Sequence, residues 1–217
     1  MAPTLHGSTY PVAAADKVVK PQARTAAKRE RILDAAMAVF AARGFNNGSL
    51  IEIAEQAGMT HAGVLHHFGS KDQLLIAVLD HRDQVDVVHL EGQHPPVGKD
   101  LLDHLVRTTE INATRAGIVQ TYAVLSAESV TEDHPAQEYF RDRFTGLRGM
   151  VAEAFRETAP ADVEEARLWQ AASALIGAMD GLQVQWLLEP GAVEMPAAVA
   201  AVIDGLIQWL NGPTEGR

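Results

Sequence analysis

The sequence predicts an all-α fold, and three features carry that prediction. Apolar residues recur at three- and four-residue steps over long stretches, Ser and Thr stand where helix N-caps are needed, and Gly or Pro closes each periodic run. About nine helices are expected. With 217 residues, 47% of them hydrophobic, the chain can bury a core without covalent staples. It contains no cysteine, which excludes disulfides, thiolate metal sites and cysteine nucleophiles together. No long apolar run follows a cationic start, because Pro11, Asp16, Lys17 and Lys20 interrupt it; a cytoplasmic, nucleoid-associated protein without membrane contact is expected.

Residues 1–23 carry Pro3, Pro11 and Pro21 without apolar periodicity and read as a flexible tail. Such a tail has no role of its own, or uses Lys17, Lys20 and Arg24 as an arm toward DNA phosphates or the minor groove. From Thr25, Ile32, Ala36, Val39 and Phe40 trace the first helix, and Gly44 stands where a left-handed cap belongs. Ser49-Leu-Ile-Glu52 is a capping box opening a short second helix, closed by Gly58. Thr60 caps a third helix over His61 to His67, ended by Gly69. Ser70-Lys-Asp-Gln73 repeats the box and starts helix four, with Leu74, Leu75, Val78, Leu79 and Val85 on its apolar face.

Gly92, Pro95, Pro96 and Gly98 break the chain, and Asp100 restarts it as helix five to about Arg115. An apolar segment over 118–129 follows Gly117, then a turn at 131–135 and a longer helix ending near Thr158. Val163 to Leu188 would span roughly 39 Å before Pro190-Gly191 stops it. Pro196 to Leu210 is the last helix. These two final helices carry apolar residues on more than one stripe, so they require burial on two sides. The chain's own core covers one. A second copy in a two-fold four-helix bundle would cover the other, with Leu175, Met179, Leu182, Ile203, Leu206 and Leu210 as the expected interface; the alternative is a helix wholly inside one large domain.

The net charge of −10 is unevenly spread. Met1 to Lys71 holds eight basic residues against five acidic ones, a local +3, which leaves −13 on the remainder. A polyphosphate partner would be drawn to the first segment and repelled by the second. Within it, Leu50 to Gly69 has the layout of a helix-turn-helix: small Ala54 allows close approach, Gly58 makes the turn and Val64 locks the second helix onto the first. The string SLIEIAEQAGMTHAGVLHHFGSK, from Ser49 to Lys71, together with the preceding helix, resembles the TetR family of bacterial repressors over about fifty residues.

That resemblance implies that Ser49 and Lys71 bind phosphates, that Thr60, His61, Ala62 and Gly63 meet base edges in the major groove, and that His67 supports a backbone contact. Lys28 and His66 belong to the same DNA-binding set. Ser49 at a helix N-terminus and Lys71 as a mobile charge suit those roles physically. The sequence departs from the family where two tyrosines usually precede the His-Phe pair; Leu65 and His66 stand there instead. Histidine protonation beside phosphate would strengthen binding as pH falls from 8 to 6. A metal site at His61, His66 and His67 is not expected, for want of a carboxylate on the same face.

The resemblance further implies a C-terminal ligand pocket and a homodimer. Tyr122, Phe144, Met150, Trp169, Gln183 and Trp186 are the candidates for lining that pocket, which would take a small, largely apolar effector. The resulting organisation is a tail at 1–23, a DNA-binding domain at 24–70, a helical ligand-binding and dimerisation domain at 71–211, and a tail at 212–217. Glu91-Gly-Gln-His94 has a carboxylate-iron spacing but lies in a Gly/Pro loop without a second copy, and reads as accidental. Glu132-Asp133-His134 reads as a helix-start cluster. No phosphate loop, Gly-x-Ser-x-Gly elbow or His-Glu-x-x-His motif is present, so no cofactor and no catalysis are expected. The expected function is a repressor that binds a palindromic double-stranded operator as a dimer and is released by a small-molecule inducer. The rivals are a helical enzyme or carrier fused to a DNA-binding module, and a DNA-binding protein that takes no ligand.

Overall fold

A computed structural model describes residues 21–88 and 96–212; the tail lysines Lys17 and Lys20 and the Glu91/His94 spacing lie outside them. The described residues form helices α1 (Pro21–Asn47), α2 (Leu50–Gln56), α3 (His61–Phe68), α4 (Lys71–Val88), α5 (Lys99–Asn112), α6 (Ala116–Glu128), α7 (Gln137–Arg156), α8 (Glu165–Leu188) and α9 (Met195–Asn211), and no strand.

The short helices begin where side-chain caps are available. Ser49 Oγ accepts from the Glu52 amide at 3.0 Å, Thr60 Oγ1 from Gly63 at 3.1 Å and Ser70 Oγ from Gln73 at 3.1 Å, each satisfying an orphan N–H of the first turn. Helix α1 begins at Pro21, four residues before the expected Thr25, because proline in a first turn forfeits no hydrogen bond. At its other end Gly44 does leave the helical region, with φ 74°, but one further turn resumes through Asn47. Asp100 does not cap α5. The Lys99 amide is instead met at 2.9 Å by Glu157, a residue just past α7 that no local pattern could have named. Helix α5 also closes at Asn112, short of Arg115.

Two apolar clusters organise these helices. The first joins Ile32, Phe40, Ile53, Val64, Leu74 and Leu79 from α1 to α4 with Tyr122, Leu125 and Phe140 from α6 and α7. The second gathers Leu101, Phe155, Leu168, Leu175, Val199 and Leu210 from α5, α7, α8 and α9. The first half of α4 therefore packs with α1 to α3, and apolar packing runs without a break across residues 70 and 71. Three polar contacts bind α6 to α1: Thr121 Oγ1 donates to the Met37 carbonyl at 3.3 Å, Gln120 Nε2 to the Ala41 carbonyl at 3.2 Å, and the Phe45 amide to Glu128 Oε2 at 2.5 Å.

Gly44 makes the last of these possible. Its positive φ favours glycine, and a Cβ there would stand 2.2 Å from Glu128 Oε1. Gly44→Ala is expected to cost about 2 kcal/mol, since it combines a left-handed backbone penalty with a lost half-buried contact; chemical denaturation checks this. Gly58, whose added Cβ would meet nothing within 4 Å, supplies the comparison, and Gly58→Ala should cost the smaller amount.

Candidate nucleic-acid interface and interior cavity

Helix α3 is held by its inner face and open on its outer one. Val64 is fully buried and Phe68 nearly so, while His61, Ala62 and His66 are exposed and Gly63 and His67 half-buried. Thr60, Ser49 and Lys28 are exposed around it. Gly63 has little room to grow, since a Cβ would stand 3.2 Å from Thr60 Oγ1. His66, Lys28 and Arg29 lie near enough to His67 for their charges to act on it, and Arg29 adds a charge the sequence did not single out. The Arg29 guanidinium lies 4.9 Å from the Phe68 ring centroid, a cation–π contact that fixes it beside the end of α3.

Lys71 is less mobile than expected. Its ammonium donates to the Asn46 carbonyl at 3.4 Å and sits 4.4 Å from the Phe45 ring centroid. Burial lowers its pKa, with Asp72 and Glu128 acting in the opposite sense. His67 has its pKa lowered first by burial and then by the neighbouring charges of His66, Lys28 and Arg29. Its protonation therefore belongs below the ordinary value of 6.5, later than the simple histidine argument implies. Among the described residues no cluster of three or more His, Cys, Asp or Glu side chains could hold a metal ion.

Between α4, α5, α6, α7 and α8 lies a cavity of about 100 Å³. One end is polar. Asp83 accepts from Arg82 Nη1 at 3.0 Å, Arg143 Nη1 at 2.8 Å and the Tyr139 hydroxyl at 2.5 Å. Both guanidiniums also lie against the Tyr122 ring, at 4.6 and 5.3 Å from its centroid. Asp180 and Gln183, one turn apart on α8, complete this end. Burial pushes Asp180 up to about 6 in spite of the opposing pull of Arg143 and Arg82. Burial, then Asp180, also raises the Tyr122 hydroxyl. The remaining wall is mostly hydrocarbon, from Leu105, Leu147, Val151, Ile176 and Met179, with Thr108 and Asn112 of α5 among them.

Of the six candidates for lining a pocket, Tyr122 and Gln183 face this cavity and four lie elsewhere. Phe144 packs beside the first core cluster, Trp186 with Val119 and Met195 in a small third one, and Met150 and Trp169 are exposed at 47% and 38%. Choosing the bulkiest side chains favoured residues that fill space over those that line it. The charged lining residues Arg82, Arg143 and Asp180 were missed. Their signal was a lone charge within an otherwise apolar helical stripe, most visible for Asp180 beside Ile176, Met179 and Gln183.

The chain matches two family models: "Bacterial regulatory proteins, tetR family" over residues 32–78 and "BetI-type transcriptional repressor, C-terminal" over 114–208. It is 43% identical over 105 residues to the HTH-type transcriptional regulator TtgW of Pseudomonas putida, covering 40% of this chain and 78% of that one. The HTH-type transcriptional repressor BepR of Brucella suis is 28% identical over 208 residues, covering 90% of this chain and 98% of BepR. A TetR-like regulator from Rhodococcus sp. RHA1 shares the fold with a TM-score of 0.65 at 19% identity, over 84% of this chain and 94% of that one.

Two outcomes are expected. DNA affinity at fixed salt, followed by fluorescence anisotropy, should rise as pH falls below 6.5, and His67→Gln should remove part of that rise, because a protonated ring adds a charge beside phosphate. Asp180, with a folded-state pKa above its unfolded one, stabilises the fold at low pH and withdraws that contribution as pH climbs through about 6. Asp180→Asn should therefore raise the melting temperature at pH 7.5, by ~3 °C for about 1 kcal/mol, and leave it unchanged near pH 4.

Proposed function

The chain belongs to the TetR family of bacterial transcriptional regulators, and we propose that it is a repressor that grips a palindromic operator as a homodimer and releases it when a small molecule occupies the cavity between α4 and α8. The observation that carries this reading is the placement of α3. Val64 and Phe68 anchor it inward while Thr60, His61, Ala62 and His66 face outward, as an element reading base edges requires. Ser49, Lys28, His67, Arg29 and Lys71 surround it as candidates for phosphate contacts, which set register and supply most of the salt-dependent affinity.

Two copies of α3 must stand about 34 to 36 Å apart to occupy successive major grooves. The dimer that sets this distance is proposed to form through α8 and α9, by a surface other than the expected one. Leu175, Ile203 and Leu210 are buried in this chain's own core, and Met179, Leu182 and Leu206 are half-buried. The outward stripe of α8 instead carries Trp169, Gly177, Gly181, Val184 and Leu188, joined by Gly205 and Trp209 on α9. Glycines at these steps allow helices to approach closely, and Leu188, 83% exposed, has apolar area to cover.

Release follows from α4. It starts at the Ser70 cap beside α3 and carries Arg82 to the cavity wall, roughly 17 Å away at 1.5 Å per residue, with Asp83 bonded to it. A ligand that prefers one placement of Arg82 and Asp83 shifts the population of α3 spacings, and by linkage the operator weakens ligand binding by the same factor. Titration with DNA fragments from the neighbouring intergenic region tests the reading: two chains per site and a steep salt dependence are expected, and binding of one chain per site would sink it. Val184→Glu with Leu188→Glu should convert the dimer to a folded monomer in sedimentation and lower operator affinity at least tenfold.

A further inference from the structure

The polar end of the cavity holds two groups that the protein leaves without partners. Asp180 makes no hydrogen bond or ion pair among the described residues, although it lines the cavity and is half-buried. Gln183, only 7% exposed and one helical turn further along α8, likewise makes no hydrogen bond with its side-chain amide. A polar group that faces a cavity without an internal partner is open to one supplied by a ligand, and here a carboxylate and an amide oxygen face the same space.

The neighbouring guanidiniums leave Asp180 open: Asp83 accepts from Arg82, Arg143 and Tyr139, which binds those three donors into one cluster, while Arg143 Nε stays buried without an acceptor. Among the described residues neither guanidinium forms an ion pair with Asp180, whereas both do with Asp83. An ammonium in contact with Asp180 would thus lie nearer to its counter-charge than to either guanidinium, and Asp83 offsets one of those two positive charges. An anion placed there would instead face the Asp180 carboxylate directly. Tyr122 is the sole aromatic among the cavity-lining residues, and its ring is occupied by Arg82 and Arg143. A quaternary ammonium, which relies on open aromatic faces, would find none; an amine bearing N–H groups would find two acceptors.

We propose that this cavity selects a protonated alkylamine, its N–H groups donating to the Asp180 carboxylate and the Gln183 amide oxygen, and its hydrocarbon portion lying along Leu105, Leu147, Val151, Ile176 and Met179. The proposal rests on the reading of this cavity as the effector site, and it names the chemical class that site takes. It also modifies the expectation of a largely apolar effector: the body is apolar and the head is cationic.

Calorimetry on the full-length protein at pH 7.5 tests it with four ligands of equal chain length: n-hexylamine, hexyltrimethylammonium, hexanoate and 1-hexanol. Hexylamine should bind tightest, about tenfold above hexanol, as a charge-assisted hydrogen bond exceeds a neutral one. Asp180→Asn should cut hexylamine affinity about tenfold while changing hexanol less than twofold, and Gln183→Leu should cut it several-fold. A melting temperature for Asp180→Asn at or above that of the parent establishes that the variant is folded. The inference is overturned if hexanoate or hexyltrimethylammonium binds more tightly than hexylamine, if Asp180→Asn weakens all four alike, or if none binds up to about 5 mM. Operator anisotropy in the same samples separates the two layers. Asp180-dependent amine binding with the operator still held overturns the effector reading alone, whereas operator release by hexanoate and not by hexylamine overturns the amine alone.

Discussion

The seam between α1 and α6 is the contact on which the rest of the molecule depends. It is made where α1 breaks at Gly44, which frees the Phe45 amide, and Glu128 at the end of α6 captures that amide. Around it, Thr121 and Gln120 bind backbone carbonyls of α1, and Phe45 is held between Phe40, the edge of His134 and the Lys71 ammonium. A half-buried carboxylate accepting a backbone N–H is a strong and directional contact. It ties the helix that carries Tyr122 at the cavity to the helix on which α2 and α3 pack. Alongside the covalent path through α4, the α6–α1 seam is a second route by which a change at the cavity reaches the outer helices.

Two electrostatic solutions meet at the cavity, linked by Arg82 and Arg143, which bond Asp83 and also act on Asp180. Around Asp83, three donors converge on one carboxylate, so two guanidiniums share a counter-charge and the cluster can hold one geometry. At Asp180 no donor arrives, and burial raises its pKa accordingly. The first arrangement is structural rigidity, and the second is an unmet demand. Their adjacency means that whatever satisfies Asp180 does so within reach of the residues that α4 contributes.

The helices were legible because their signals are local. Ser49, Thr60 and Ser70 cap where their spacing says they should, and Gly44, Gly58 and Gly69 all adopt positive φ. The helix-turn-helix was legible for the same reason: it is a contiguous string whose inward residues, Ala54, Val64 and Phe68, are buried. What the sequence concealed were the long-range choices. Glu157 capping α5 and Glu128 capping the Phe45 amide join residues 58 and 83 positions apart, and no periodicity announces such pairs. On α8 the difficulty was rotational. Leu175 and Val184 are both apolar, and only the packing of α6, α7 and α9 around this helix decides which one turns inward.

The continuous packing of Tyr122, Leu125 and Phe140 with Ile32, Phe40 and Leu74 bears on how such regulators can be recombined. A head exchanged at the start of α4 would arrive with its own α1 and meet a foreign α6, so the apolar surface and the Met37, Ala41 and Phe45 backbone partners would no longer match. Reading heads and sensing bodies in this architecture are therefore not interchangeable cassettes. A workable chimera has to carry the facing surfaces of α6 and early α7 along with the head, and operator specificity is inherited together with part of the sensor's scaffold.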